Sequence, residues 1–178
     1  ILNASAASGA NKVVKQTASG IIDPAILNAK ASSAGAGDAG KIAQLDSAGR
    51  LDATMMPVGI GADTASITTS EALAAGDFVN IWNSSGAKAR KADATVAGKE
   101  AHGFVLTAAA SGAQATVYFE GTNTAVTGQT PGNVFLSTTA GRSAASAPTG
   151  SGNAVQCIGF ATSPTTINFQ ARSPIVLA

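Results

Sequence analysis

The stretch DFVNIWNSSGAKARKA, residues 77–92, decides the fold that this sequence predicts. Its first seven residues alternate as they do in a β-strand, where neighbouring side chains point to opposite faces. The members of the two faces are Phe78, Asn80 and Trp82 on one side and Val79 and Ile81 on the other. The turn-forming run NSSG follows, and Ala87 and then KARKA come after it. The stretch therefore predicts a β-hairpin that turns at residues 83–86.

The chain beyond this hairpin repeats the same pattern of short apolar stretches between turn-forming residues. The strand candidates are AHGFVLTA (101–108), QATVYFE (114–120), NVFLS (133–137), VQCIGFA (155–161) and TTINFQ (165–170). Only SEALAAG, residues 70–76, indicates one or two turns of helix. Short strands at a spacing of roughly 8 to 14 residues are typical of a small antiparallel β-barrel or sandwich. The sequence therefore predicts an all-β domain over residues 58–178.

The first 57 residues read differently, because one motif occurs in them twice. NKVVKQTASGIIDPAIL (11–27) is echoed by GKIAQLDSAGRLDATMM (40–56), and a spacer at residues 28–40, rich in Gly, Ala and Ser, joins them. We expect the spacer to be flexible or extended. We expect Asp23 and Asp52 to cap one-turn helices. Two small units bury no core of their own, so residues 1–57 are predicted to form an extended arm that docks on another surface.

The residues predicted to make this docking contact are the apolar pairs of the two motifs and their Asp residues. They are Ile21, Ile22, Asp23, Ile26, Leu27, Ile42, Leu45, Leu51, Asp52, Met55 and Met56.

The charge of the chain is nearly balanced, with 11 Lys and Arg against 10 Asp and Glu, which argues against a nucleic-acid partner. Between residues 104 and 178 the only charged side chains are Glu120, Arg142 and Arg172. An isolated soluble domain normally surrounds its core with mixed charges. A surface this poor in charge predicts that copies of the chain or a larger assembly cover part of it.

The sequence predicts neither a membrane span nor a signal peptide. It has no apolar run of about 18 residues, and its first residues lack the charged-then-apolar layout of a signal peptide. Its one cysteine, Cys157, excludes an intrachain disulfide framework and is predicted to be a small buried apolar residue.

The motifs that resemble catalytic or cofactor sites each lack residues that such a site requires. GAGDAGK, residues 35–41, begins like a phosphate-binding loop, but Ile42 stands where the loop needs Ser or Thr, and the strand and helix around such a loop are missing. His102 is the only histidine, and we expect it to be structural or exposed. The carboxylates of the β part are scattered singly. The sequence therefore predicts no catalytic residue, no cofactor and no metal site.

One basic cluster, Lys88, Arg90 and Lys91, has two interpretations. In the first interpretation the cluster contacts an anionic partner. In the second it protects the edge of a sheet from unwanted strand pairing, and this second interpretation is favoured. The aromatic residues Trp82 and Tyr118 also have two interpretations. They stack on a sugar, or they pack in the core or in a subunit interface, and packing is favoured. Together these five residues are the candidates for surface recognition.

The sequence also resembles structural proteins of tailed bacteriophage virions. GKIAQLDSAGRLDATMMPVGIG (40–61) resembles the phrases that connect capsid-bound or tail-bound arms to globular heads in phage fibre and head-decoration proteins. The phrases similar to β-barrel modules of head-fibre, capsid-cement and tail-fibre proteins are EALAAGDFVNIW (71–82), KADATVAGKEAHGFVL (91–106), SGAQATVYFEGTNTAVTG (111–128) and TPGNVFLSTTAGR (130–142).

This resemblance implies a symmetric association, a trimer above all, on a virion. We therefore expect a non-enzymatic capsid decoration protein, a head fibre or cement protein, whose arm docks on the major capsid protein or another virion protein while the β domain projects. The alternative is a tail-fibre component that binds a host receptor or surface glycan. That alternative requires a concave site, for which the candidates are Trp82, Asn80, Tyr118 and Asn123. An enzyme is the least favoured class.

Overall fold

The computed structural model describes residues 27–56 and 63–178. The first copy of the duplicated motif, with the one-turn helix expected after Asp23, lies outside the described residues except for Leu27. The predicted docking residues Ile21, Ile22 and Ile26 lie outside them as well. The chain divides into two units, Ile1–Gly61 and Ala62–Ala178, which we describe separately. In the described ranges, no helix is long and apolar enough to span a membrane.

The described part of the first unit consists of short elements. Strand β1 (Ala29–Lys30) pairs in parallel with β2 (Ile42–Ala43), and 3₁₀ helices form at Ala36–Asp38 and Ala53–Met55. The one-turn helix expected in the second motif is confirmed, since Asp52 Oδ1 accepts a hydrogen bond from the Thr54 amide at 2.9 Å.

The spacer differs from the expected flexible or extended segment. The carboxylate of Asp38 accepts hydrogen bonds from the Ala34 amide at 2.6 Å and from the Lys41 ammonium at 2.7 Å. These two bonds close the loop between β1 and β2 around the 3₁₀ turn, which includes Asp38 itself.

The second unit is made of strands, which confirms the all-β prediction. Twelve strands form in its described residues. Their bounds are Thr64–Thr69 (β3), Phe78–Asn83 (β4), Ala87–Lys91 (β5), Gly103–Val105 (β6), Gln114–Tyr118 (β7), Gly121–Asn123 (β8), Gly132–Leu136 (β9), Ser143–Ala144 (β10), Ala154–Val155 (β11), Cys157–Ser163 (β12), Thr166–Phe169 (β13) and Ile175–Val176 (β14).

The first half of this unit closes into a barrel with the strand order β3-β5-β4-β6-β7. The predicted hairpin forms its centre, since β4 and β5 pair antiparallel from Val79 with Lys91 to Asn83 with Ala87. Gly86 and Ser85 adopt positive φ in the turn, and the Asn83 side chain accepts a hydrogen bond from the Gly86 amide at 3.2 Å. One barrel contact is parallel, between β3 and β5.

The second half forms a five-stranded sheet with the order β10-β9-β12-β13-β8, and its pairs are all antiparallel. A separate two-stranded sheet joins β11 to β14.

The apolar side chains of the unit pack into two clusters on opposite faces of β4. Val79 belongs to the cluster that also holds Val105 and Val117, residues of the barrel strands. Phe78 belongs to the cluster that also holds Phe169, a residue of the five-stranded sheet. The alternation predicted for β4 is thus confirmed, and both of its faces are buried at this end.

The structure of this unit differs from the sequence predictions in several places. Strand β3 was not expected, because TASITT has a single large apolar residue, Ile67, and its alternation is weak. Residues 70–76 are not helical, since Leu73 instead forms a bridge with Ala109 through two backbone hydrogen bonds. The strand expected at residues 155–161 is divided into β11 and β12 at Gln156, whose buried side chain bonds the backbone of Ala101.

Candidate functional site

The described part of the arm exposes its large apolar residues. Leu27, Ile42, Leu45 and Leu51 are between 41% and 56% exposed, and Asp52, Met55 and Met56 are half-buried. Of the side chains described in residues 27–56, none is buried. Full burial of an exposed large aliphatic side chain is worth about 1.5–3 kcal/mol, so a partner that covered these half-exposed residues would gain roughly half of that at each.

A small cleft of about 180 Å³ lies beside the ion pair of the spacer loop, with Ile42 and Met55 on its wall. Asp38 accepts bonds from Lys41 at 2.7 Å and lies 3.8 Å from Lys30. The hydrogen bond from the Ala34 amide, followed by that from Lys41, holds the pKa of Asp38 below its ordinary value.

The same geometry bears on the loop that resembles a phosphate-binding motif. The ammonium of Lys41, which would face a phosphate, bonds Asp38 inside the loop, and the short strand β2 follows instead of a helix. The structure therefore agrees with a glycine-rich spacer.

The second motif ends in a capped turn. The side-chain hydroxyl of Thr54, followed by its amide, bonds the carboxylate of Asp52 and lowers the pKa of that group. Met55 and Met56 follow this cap one after the other, and both are half-buried.

The hairpin carries three of the surface candidates, Trp82, Lys88 and Arg90, on its outer face. The guanidinium of Arg90 lies 4.5 Å from the centre of the Trp82 ring, which is a cation–π distance. Arg90 is fixed there because Nε donates to Asn80 Oδ1 at 2.9 Å and a terminal nitrogen donates to the Gly98 carbonyl at 2.8 Å. Trp82 Nε1 donates to Ser70 Oγ at 3.2 Å.

The basic cluster inferred from the sequence is divided between two faces. Lys88 lies directly opposite Trp82 and shares its face with Arg90. Lys91 follows Arg90 in the same strand and points to the other face, where its ammonium lies 3.9 Å from buried Asp77. The correction follows from the period of a strand, since neighbouring side chains do not share a face.

Tyr118 belongs to the packing between the layers. Its ring stacks on Phe104 at a centroid distance of 5.3 Å, and it is half-buried against the cluster that contains Phe78. Asn123, a candidate of the tail-fibre alternative, is fully buried and donates to the Gly76 carbonyl at 3.1 Å. These two residues therefore do not share a surface with Trp82.

His102 and Cys157 have structural surroundings. His102 is exposed, and its Nδ1 accepts a hydrogen bond from the Ile81 amide at 3.0 Å. The pairing of β4 with β6 ends at Val79, so the side chain of His102 supplies the acceptor for Ile81. Cys157 is half-buried rather than buried, because it precedes an irregularity in β12 where Ile158 takes the inward position. Among residues 27–56 and 63–178, no group of three His, Cys, Asp or Glu side chains is arranged to hold a metal ion.

The sequence reasoning missed a cleft on the outer face of the five-stranded sheet, beside Phe160. The signal for it was the glycine inside the run CIGFA, because a glycine within a strand often marks a bulge that redirects the next side chain. This cleft is taken up below.

No family model, no curated protein and no solved structure matches this chain.

Proposed function

We propose that this protein is a non-enzymatic structural protein of a tailed-bacteriophage virion that decorates the capsid as a head fibre or cement protein. In this proposal the arm, residues 1–57, docks on the major capsid protein, and the β domain projects from the capsid surface as part of a homotrimer. The observation that carries the proposal is the exposure of Leu27, Ile42, Leu45 and Leu51 on a segment in which none of the described side chains is buried.

The physical argument starts from the cost of this exposure. A monomeric soluble protein rarely keeps several large aliphatic side chains in water on a segment without a core, whereas an arm that binds a partner buries them on binding. Weak contacts suffice in a virion, because copies related by symmetry bind many equivalent sites and stabilise the shell by mass action.

The second unit supports an assembly independently. Its C-terminal strand β14 exposes two consecutive apolar residues, Ile175 at 68% and Val176 at 52%. Consecutive strand residues point to opposite sides, so both faces of this strand meet solvent. Together with the scarcity of charge after residue 104, this surface fits a subunit of an assembly better than an isolated domain.

The test is the occupancy of capsids by the full chain and by arm variants. Leu45→Asp and Leu51→Asp place charges at exposed apolar positions and are expected to lower occupancy more than tenfold, since about 1.4 kcal/mol corresponds to a factor of ten. Val96→Asp is the matched control, because Val96 is equally exposed, at 42%, but lies in the β domain.

Deletion of residues 1–57 gives the stricter result. Full occupancy of capsids by the truncated chain would contradict docking through the arm. Electron microscopy of particles with and without the protein then separates the two virion locations. Hundreds of copies on the head support decoration, whereas a handful of copies at the tail would replace it with the tail-fibre alternative.

A further inference from the structure

The outer face of the five-stranded sheet has an exposed aromatic side chain beside a polar cleft. Phe160 is 43% exposed, although it lies in the middle of β12. The cleft next to it has a volume of about 460 Å³, and its polar lining comes from Asp63, Glu120, Asn168 and Gln170. An exposed phenylalanine in the middle of a sheet has no role in the core, so its position needs another explanation.

The backbone holds Phe160 in this outward position. The pairing of β12 with β9 shifts between Cys157 and Gly159, so that Ile158 is buried and Phe160 faces outward between Asn133 and Asn168. Gly159 has φ of +137°, and a Cβ there would lie 2.0 Å from the Asn168 carbonyl oxygen. Bulges of this kind redirect side chains and are frequent beside binding sites.

The polar groups of the cleft are not used inside the described structure. None of the side chains of Asp63, Glu120, Asn168 and Gln170 makes a hydrogen bond or an ion pair with another residue of the described ranges. Asp63 precedes β3, Glu120 connects β7 to β8, and Asn168 lies in β13, so separate elements bring these groups together. Groups that converge on a concave surface and remain available mark a ligand site.

The chemistry of these groups selects the ligand. The carboxylates accept hydrogen bonds only, whereas the two amides both donate and accept. A sugar hydroxyl also donates and accepts, and the C–H face of a pyranose ring packs on an aromatic face such as that of Phe160. A pyranose therefore matches the aromatic ring, the amides and the carboxylates at once.

Two other ligands match less well. An anionic ligand meets two carboxylates and no cationic group in the lining. A guanidinium from a basic peptide satisfies the carboxylates, but the guanidinium itself has no acceptor for the amide N–H groups of Asn168 and Gln170, so the peptide backbone would have to reach both amides as well.

We propose that this cleft binds a neutral pyranose unit of a polysaccharide, with the ring stacked on Phe160 and its hydroxyls bonded to Asn168, Gln170, Glu120 and Asp63. The site differs from the hairpin surface around Trp82, and it does not depend on where in a virion the protein lies.

The experiment is a titration of the full ¹⁵N-labelled chain with glucose, galactose, mannose, rhamnose and N-acetylglucosamine, each followed by two-dimensional NMR. At least one sugar is expected to shift the backbone amides of residues 120–121, 159–161 and 168–170. The cleft is open, so a dissociation constant on the order of 1–10 mM is expected for a single unit. Phe160→Ala is expected to weaken binding about tenfold, and Phe160→Tyr is expected to preserve it.

Trp82→Ala is the control, because it removes an aromatic residue from the other surface and is expected to leave the dissociation constant unchanged. The proposal is overturned if none of the sugars shifts these amides. It is overturned equally if Phe160→Ala, confirmed to be folded by its amide spectrum, binds like the original chain. Shifts produced by an arginine-containing tripeptide or by raising the protein concentration alone, without a response to sugar, would assign the cleft to a basic peptide or to a second copy.

Discussion

The side chain of Gln156 makes the two hydrogen bonds with the backbone of Ala101 that a neighbouring strand would otherwise make. Its Oε1 accepts a hydrogen bond from the Ala101 amide at 2.7 Å, and its Nε2 donates to the Ala101 carbonyl at 3.0 Å. The same Nε2 also donates to the Arg172 carbonyl at 3.2 Å. Gln156 is buried, so water cannot readily replace these hydrogen bonds if its side chain is removed.

Gln156→Met keeps the approximate volume of the side chain but removes all of these bonds. A buried polar group left without a partner costs about 1–3 kcal/mol, so we expect the free energy of unfolding to fall by about 2–5 kcal/mol. Chemical denaturation measures it. Gln170→Met, at an exposed position, is the control and is expected to change stability by less than about 0.5 kcal/mol. Equal effects of the two substitutions would contradict the role of Gln156.

Gly159→Ala is expected to be one of the more costly small substitutions in the β domain. The new methyl group would lie 2.0 Å from the Asn168 carbonyl oxygen, at a φ of +137° that side chains rarely adopt. Backbone strain of this kind costs about 1–3 kcal/mol before the clash is counted.

The matched control for Gly159 is Gly128→Ala, because Gly128 also has a positive φ, +67°, but has open space around it. We expect it to cost only about 1–2 kcal/mol, the penalty of the left-handed conformation alone. Thermal unfolding of both variants separates the clash from the backbone term. A smaller loss at Gly159 than at Gly128 would show that β12 and β13 do not approach each other as closely as described.

The contact between Arg90 and Trp82 is expected to be measurable but small. Arg90→Met and Trp82→Leu each remove other bonds as well, so only a double-mutant cycle isolates the contact. At a half-buried surface we expect a coupling energy of about 0.5–1 kcal/mol. The same cycle with Lys91→Met in place of Arg90→Met is the control, with an expected coupling within about 0.3 kcal/mol of zero, because Lys91 points to the other face of the hairpin. An equally large value for Lys91 would contradict a direct contact between Arg90 and Trp82.

The arm is expected to lose local order in acid. Hydrogen bonds lower the pKa of Asp38 and of Asp52 below the ordinary value of 3.8. Each ionised carboxylate therefore favours the ordered arm fully above that value, and the contribution is lost as the pH falls through the lowered pKa. Carboxyl-detected NMR titration of the full chain is expected to give both midpoints below 3.8.

The substitution Lys41→Met separates the causes of the two lowered pKa values. It removes one donor to Asp38 and is expected to raise that midpoint while leaving Asp52 unchanged, because Asp52 is held by Thr54. The Ala34 amide remains, so the midpoint of Asp38 is expected to stay below 3.8. A parallel rise at both residues would contradict the local origin of the two shifts.

The hairpin was predictable because two signals agreed, the alternation in β4 and the turn residues after it. Strand β3 was not, since its only large apolar residue is Ile67 and its register depends on pairing with β7, which is about 50 positions away in sequence. The separation of Lys91 from Lys88 and Arg90 followed from strand period alone and was available from the sequence.

Of the two candidate sites, the arm was predictable from the sequence, whereas the cleft was not. The exposure of Leu45 and Leu51 fits an arm that the sequence already described as lacking a core. The glycine in CIGFA was a signal for the bulge beside Phe160, but the cleft itself could not be located from the sequence, because groups such as Asp63 and Gln170 lie far apart along the chain.

The placement of Phe78 and Val79 on opposite faces of β4 has a consequence for how the β domain comes apart. Each of these consecutive residues anchors one of the two apolar clusters, so a strand that leaves the barrel also removes Phe78 from its contact with Phe169. The two layers are therefore coupled through β4, and we expect the domain to lose its structure in one cooperative step.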